Sequence, residues 1–359
     1  MSRILVYVGT YTFRDGGEIY IYHMNPNSGA LEYIGAVRNL PNPSFLAVDS
    51  RHQNLYAVNE IASFLGEPAG AVSAFSIEQE SGKIFFLNSK SSRGVGPCHI
   101  TLDRSDRYIF VANYAGGSIC MLPRNEDGSI GDAAYFIQHK GSSINPRRQE
   151  GPHPHCVVVD PANKYVYVPD LGLDKIIIYK LDLKEGLLEP GDQPWVNTRP
   201  GAGPRHFTFH PNGRFAYLVN ELDSTVVAYA YSERDGSLRE IQVESTLPGD
   251  FKGENYAADI HVSPSGRFLY ASNRGHDSLA VFRIDEENGS LKAIGHVHTQ
   301  GRWPRNFAID PSGMFILVAN QHSNNIVTFQ VDYETGMPKP TGHVVKVPSP
   351  VCVKIVPFE

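Results

Sequence analysis

The chain has 359 residues, of which 41% are apolar and 19% charged, with a net charge of −6. That balance excludes a disordered chain, gives no broad basic footprint for nucleic acid, and contains no apolar run near the roughly 20 residues of a membrane helix. Glycine (33) and proline (25) make the sequence rich in turns without making it low-complexity.

The N-terminus, Met1 to Tyr7, runs straight into strand-like sequence and lacks the apolar core and small-residue cleavage site of a signal peptide. The cysteines Cys98, Cys120, Cys156 and Cys352 show no metal-type CxxC spacing and are too few for a disulfide framework. A reduced cytoplasmic protein is expected.

Taken in chain order, one pattern recurs. A strand Val6–Thr10 is followed by a turn at Gly29. An alternating strand then runs from Pro43 to Asp49, a second from Leu55 to Asn59, and a turn glycine follows at Gly82. The first type of strand returns at Pro97–Asp103, Pro154–Asp160, Pro204–His210 and Pro304–Asp310, with degenerate copies at Ala257–Ser263 and Pro350–Val356. The second type ends at Asn113, Asp170, Asn220, Asn273 and Asn320, and the turn glycine recurs at Gly128, Gly186, Gly236, Gly289 and Gly336. Each of the three markers occurs seven times. Period-two alternation between turn residues, with no helical stripe, marks strands.

Four short strands in about fifty residues is the repeat of a β-propeller blade. The period is too short for tandem sandwiches of about a hundred residues. The predicted fold is all-β: a seven-bladed β-propeller with four antiparallel strands per blade, forming a single domain over residues 1–359. The chain starts on a second-type strand and ends on a first-type strand. The two ends therefore complete one blade and close the ring, which removes free sheet edges.

In a propeller the first strand of each blade lines the channel and the second runs antiparallel to it. The start of one and the end of the other share a face of the disc. On that rim the sequence gathers His99, His153, His155, Arg205, His206, Glu221, His261, Arg274 and Arg305. Asn59, Asn113 and Asn320 read as blade-to-blade hydrogen-bonding residues. Arg205, Glu221 and Arg274 read as functional, since charges near a channel mouth must be paired or serve a ligand. His153-Pro154-His155 lacks a clear third metal ligand. The Gly94-Val95-Gly96 and Gly201-Ala202-Gly203 runs read as turns. No Gly-x-Ser-x-Gly elbow is present. Cys98 and Cys156, although beside histidines, read as small apolar residues.

Several longer motifs resemble the seven-bladed propeller lactonases, a family that includes bacterial propeller-type 6-phosphogluconolactonases and the carboxy-muconate lactonizing enzyme. They are Tyr7-Val8-Gly9-Thr10-Tyr11-Thr12, Pro97-Cys98-His99, Gly151 to His155, Gly201 to His206, Asn220-Glu221-Leu222, Ile260-His261-Val262, Asn273 to Ser278 and Trp303-Pro304-Arg305. The resemblance covers essentially the whole chain. It implies a catalytic set of His155, Arg205, Arg274 and Glu221, and a small anionic lactone as substrate, with 6-phosphogluconolactone of the oxidative pentose phosphate route foremost.

In such a hydrolysis Arg205 and Arg274 would stabilise the oxyanion or anchor substrate. His155 or Glu221 would be the base, with His155 the better suited by its ordinary pKa. Arg305, Arg148 or Lys252 would hold the phosphate, and His99, His153, His206 and His261 would contact substrate. No cofactor, metal, nucleic acid or membrane is expected, and the chain would be a monomer or homodimer. Two alternatives stand beside this reading. One is other lactone chemistry, such as carboxy-muconate cycloisomerisation, with the arginines on carboxylates. The other is a propeller used as a binding platform, which a rim rich in His, Arg and Glu does not favour.

Overall fold

The computed structural model describes residues 3–11 and 17–358. Thr12 of the first quoted motif lies outside the described residues. The strands form seven four-stranded antiparallel sheets. The first blade combines Pro350–Phe358, innermost, with Arg3–Thr10, Gly17–Met24 and Leu31–Leu40. Arg3 pairs with Phe358 and the ladder runs to Thr10 opposite Pro350, so the two ends of the chain do close the ring within one sheet.

Blade 2 begins at Leu46–Val48, blade 3 at Pro97–Leu102, blade 4 at Val158–Val159, blade 5 at Pro204–Phe209, blade 6 at Tyr256–Val262 and blade 7 at Pro304–Ile309. Each opens with its innermost strand. The helical content of the described residues is one 3-10 turn, Gln321–Ser323.

Burial explains the sequence pattern. Second strands such as Asn54–Asn59 and Phe215–Asn220 are buried along their whole length, because neighbouring blades cover both faces. Outer strands such as Leu238–Ser245 are largely solvated. The core therefore lies between blades. Tyr167 and Ile178 of blade 4, for example, pack with Phe207, Leu218 and Tyr229 of blade 5.

A recurring latch joins the blades. The tyrosine hydroxyls of Tyr7, Tyr56, Tyr167, Tyr217 and Tyr270 donate to the carbonyls of Gly82, Gly128, Gly236, Gly289 and Gly336 in the next blade. Each such bond contributes about 1 kcal/mol net. All seven turn glycines have φ between +67° and +85°, a region that other L residues rarely adopt. At Gly82 a Cβ would also lie 2.3 Å from Leu5 Cδ1.

Two inner strands are shorter than their sequence pattern predicts. Blade 2 pairs only over Leu46–Val48, and blade 4 over Val158–Val159 with an isolated bridge at Pro154. The opening proline is not the cause, since Pro97, Pro204 and Pro304 pair within longer strands. In blade 4 the Asp170 carboxylate draws the chain aside, accepting His153 N at 2.7 Å and facing His139 Nδ1 at 2.6 Å.

Candidate active site

Two positions in each repeat feed one mouth of the channel. The first is the residue that follows the Thr or Asn closing the second-strand motif. Tyr11, Glu60, Tyr114, Glu221, Arg274 and Gln321 occupy it in blades 1, 2, 3, 5, 6 and 7. Blade 4 ends instead on Asp170, whose carboxylate is committed to its own loop.

The second position follows the proline that opens the inner strand. In blades 1, 3, 5 and 7 the register slips here: Pro97 and His99 oppose Asn113 and Ala112, leaving Cys98 as the extra residue. Arg205, Arg305 and Val351 are extra in the same way. A β-bulge re-aims its unpaired side chain, and these residues face the cavity or the small space beneath it.

The cavity has a volume of about 350 Å³. Glu221 is its electrostatic centre. Its Oε2 lies 3.0 Å from Arg205 Nε and 2.7 Å from Arg274 Nη2, and its Oε1 lies 2.5 Å from Arg148 Nη2. Burial alone would push this carboxyl's pKa up. Arg274, Arg205 and Arg148 outweigh it and hold the group well below the usual carboxylate range.

The arginines are themselves fixed. Arg274 donates to the Tyr256 carbonyl at 3.1 Å and packs over the Trp303 ring. Its burial pulls its pKa down to about 9, against the opposing pull of Glu221. Arg205 donates also to the Ala258 carbonyl. Arg148 comes from the long 139–157 connection, which Gln149 fastens to the Leu171 carbonyl at 2.9 Å. Across the cavity Arg305 donates to Tyr11 Oη at 2.8 Å, and Tyr11 in turn donates to Glu60 at 2.9 Å.

His155 forms part of the wall. Its Nδ1 faces Cys98 Sγ at 3.9 Å. Burial, reinforced by Arg205, His206, Arg305 and Arg274, holds its pKa well below the ordinary 6.5. The imidazole is therefore neutral at neutral pH and free to accept a proton. Burial pushes the Cys98 thiol up, so it is not a thiolate. Among the described residues no group of three or more His, Cys, Asp or Glu is arranged to hold a metal.

The chain is matched over residues 5–355 by a family model described as "Lactonase, 7-bladed beta-propeller". The chain belongs to that lactonase family. It is 38% identical over 355 residues to a 6-phosphogluconolactonase of Bacillus subtilis, covering 99% of each chain. A 6-phosphogluconolactonase of Formosa agariphila is 40% identical over 311 residues, covering 85% of this chain and 86% of that one.

Among solved structures, a putative 6-phosphogluconolactonase from Bacteroides fragilis superposes with a TM-score of 0.92 at 37% identity, covering 99% of this chain and 98% of that one. The periplasmic gluconolactonase of Pseudomonas aeruginosa gives a TM-score of 0.92 at 33% identity, covering 99% and 100%.

In this lactonase His155, Glu221, Arg205 and Arg274 converge as the sequence leads one to expect, and Arg148 and Arg305 join them. Other expected residues do not reach the cavity. His99 and His206 follow the bulge, so strand alternation turns them into the buried layer below, where both rings pack on Phe45. His261 lies further down the channel, on Asp259 at 2.9 Å and against Phe307. His153 stacks behind Tyr114 and bonds its carbonyl through Nδ1 at 2.9 Å. Lys252 is an exposed residue of the 246–255 connection and lines no part of the cavity.

Besides Cys98, six residues outside the expected site set also line the cavity: Tyr11, Glu60, Tyr114, Tyr256, Trp303 and Gln321. Four of them stand at the position of Glu221 in their own blades. Asn59-Glu60 repeats Asn220-Glu221, and that repetition was the available signal. The asparagines themselves bond to the end of the preceding blade: Asn59 to the Pro41 carbonyl, Asn113 to Ser92 and Asn320 to Thr299.

Proposed function

We propose that this lactonase hydrolyses 6-phospho-D-glucono-1,5-lactone to 6-phosphogluconate. The observation that carries the reading is the arginine cluster around Glu221 in a sugar-sized cavity. Among the described residues that line the cavity and the space beneath it, the arginines Arg148, Arg205, Arg274 and Arg305 stand with the carboxylates Glu60 and Glu221, a surplus of two positive charges suited to a phosphorylated lactone. The names of the Bacillus subtilis and Formosa agariphila relatives support it.

In this mechanism water attacks the acyl carbon, and Arg205 and Arg274 stabilise the resulting oxyanion with preorganised N–H groups. His155 takes the proton from water and returns it to the ring oxygen as the C–O bond breaks. Glu221 is not the base, since three guanidiniums occupy its oxygens; it holds them in place. Arg305 and Arg148 bind the phosphate. We assign the enzyme to the cytoplasm, where its four free cysteines would remain reduced.

The test compares freshly made 6-phosphogluconolactone with unphosphorylated gluconolactone, subtracting spontaneous hydrolysis. A higher kcat/KM for the phosphorylated lactone is expected. Equal rates would move the substrate to the unphosphorylated sugar, and no rate above background would overturn the reading.

A further inference from the structure

Directly beneath the cavity lies a smaller one of about 10 Å³, bordered by His155, Arg205, His206, Arg305 and Ser44. That is about the space of one water molecule. The His206 side chain is 6% exposed. Its Nδ1 donates to Asp259 Oδ1 at 2.7 Å. Asp259 also faces His261 Nε2 at 2.9 Å and accepts from Asn306 Nδ2 and the backbone N–H groups of Ile260 and Phe307. His261 and then His206 hold its carboxyl well below the usual range, despite burial. The proton between the two groups therefore belongs to His206 Nδ1, which leaves Nε2 a bare acceptor.

That acceptor is buried, and among the described residues nothing donates to it. A buried acceptor without a donor costs about 1–3 kcal/mol. The small cavity that His206 borders also has Arg205, Arg305, His155 and Asn306 in its wall, beside the apolar Phe45 and Val351. The ring of His155 lies 5.3 Å from that of His206, centroid to centroid, close enough for one water to touch both.

We propose that this small cavity is the seat of the hydrolytic water, held by the His206–Asp259 pair. The proposal rests on the hydrolysis read above. The water donates one O–H to His206 Nε2, accepts an N–H from Arg205 or Arg305, and directs its other O–H toward His155. On attack the water oxygen bonds to the acyl carbon and its proton passes to His155. The acyl C–O bond of the ring then breaks, and His155 returns the proton to the departing oxygen. His206 keeps its own proton throughout. Asp259, His206 and the water stand in the order of an Asp–His–nucleophile triad, but here the proton goes to His155 and the His206–Asp259 pair only orients the water. His206 and Asp259 act as positioning residues, which accounts for a histidine buried out of reach of substrate.

Two measurements test it. A crystal structure of the wild-type protein, at a resolution that shows ordered solvent, should place a water about 2.8 Å from His206 Nε2. His206→Phe keeps the ring volume and removes the acceptor. Its kcat should fall at least about tenfold with KM nearly unchanged, the pattern of a contact made only on the way to the transition state. A well-ordered wild-type crystal with no water at this position would overturn the proposal, as would a folded His206→Phe with undiminished kcat. If His206→Phe does not fold, the wild-type crystal decides. A wild type inactive on both lactones would overturn the hydrolytic reading, while the crystal would still report whether the seat holds water.

Discussion

Arg205 and Glu221 meet at 3.0 Å because Pro204 pairs with Asn220 in the same blade, so the bulged residue and the residue just past the strand end share one edge. The contact is set by local ladder geometry and then shared with Arg274 and Arg148. Glu221→Gln keeps the shape and removes the charge that the three guanidiniums oppose. Breaking a buried ion pair by removing one partner costs about 3–5 kcal/mol. Denaturant unfolding should show that loss. Displacement of the arginines should lower kcat by about a hundredfold, the scale of small misplacements in an active site. A variant with wild-type stability and turnover would contradict the clamp.

His155→Ala should lower kcat by about a hundredfold or more, the usual range for an acid–base group. The pH profile is the sharper check. The ring is held well below 6.5 by burial and by Arg205, His206, Arg305 and Arg274. It therefore stays unprotonated, and able to accept, well into mild acid. Turnover should be level from pH 8 to pH 6 and fall only below that. Unphosphorylated gluconolactone is the better probe, because a phosphate monoester itself titrates near pH 6. A decline centred near pH 6.5 would mean that the catalytic base is not this buried histidine.

The same burial predicts how stability responds to acid. His99, His155 and His206 all have folded pKa values below the ordinary 6.5, His206 at about 4, with burial the largest cause. Between those values and 6.5 the unfolded chain binds more protons than the folded one, so lowering the pH favours unfolding. Each ring contributes up to about 1.4 kcal/mol per pH unit in that window. Urea midpoints should hold steady above pH 7 and drop progressively from pH 6.5 toward pH 4. A midpoint unchanged from pH 7 to pH 5 would show that these rings are not buried neutral.

The blade count was legible because three markers repeat along the chain for physical reasons: a proline at the start of the inner strand in six of the seven units, a polar strand end, and a glycine whose positive φ the turn requires. The cavity was legible in part for the same reason, since Glu221 and Arg274 stand at a repeating position. What the sequence concealed was the bulge. Cys98 and His99, or Arg205 and His206, look equivalent as neighbours after a proline, yet one extra unpaired residue sends the first into the cavity or its floor and the second into the layer beneath. Arg148 was placed by charge alone, because the 139–157 connection has no counterpart of equal length at the other blade junctions, and the hydrogen bonds of Gln149 seat it only in three dimensions.

Arg148 and Lys252 separate geometry from charge. Both are cations near the same face, and both were candidates for the phosphate. Arg148 reaches the cavity mouth with its side chain 34% exposed, stacks over Tyr256 and touches Tyr114 Oη at 3.3 Å. Its remaining N–H groups are available to a bound anion, and a planar guanidinium suits phosphate. Lys252 stands in solvent. Arg148→Ala should therefore raise KM for 6-phosphogluconolactone at least about tenfold, the scale of a charge-assisted hydrogen bond of about 1.5–3 kcal/mol, while changing KM for unphosphorylated gluconolactone far less. Lys252→Ala should leave both values near wild type. Because Arg148 also holds Glu221, the ratio of the two KM changes is the informative quantity: an equal rise for both lactones would mean that Arg148 acts only through the clamp, and the phosphate would then fall to Arg305.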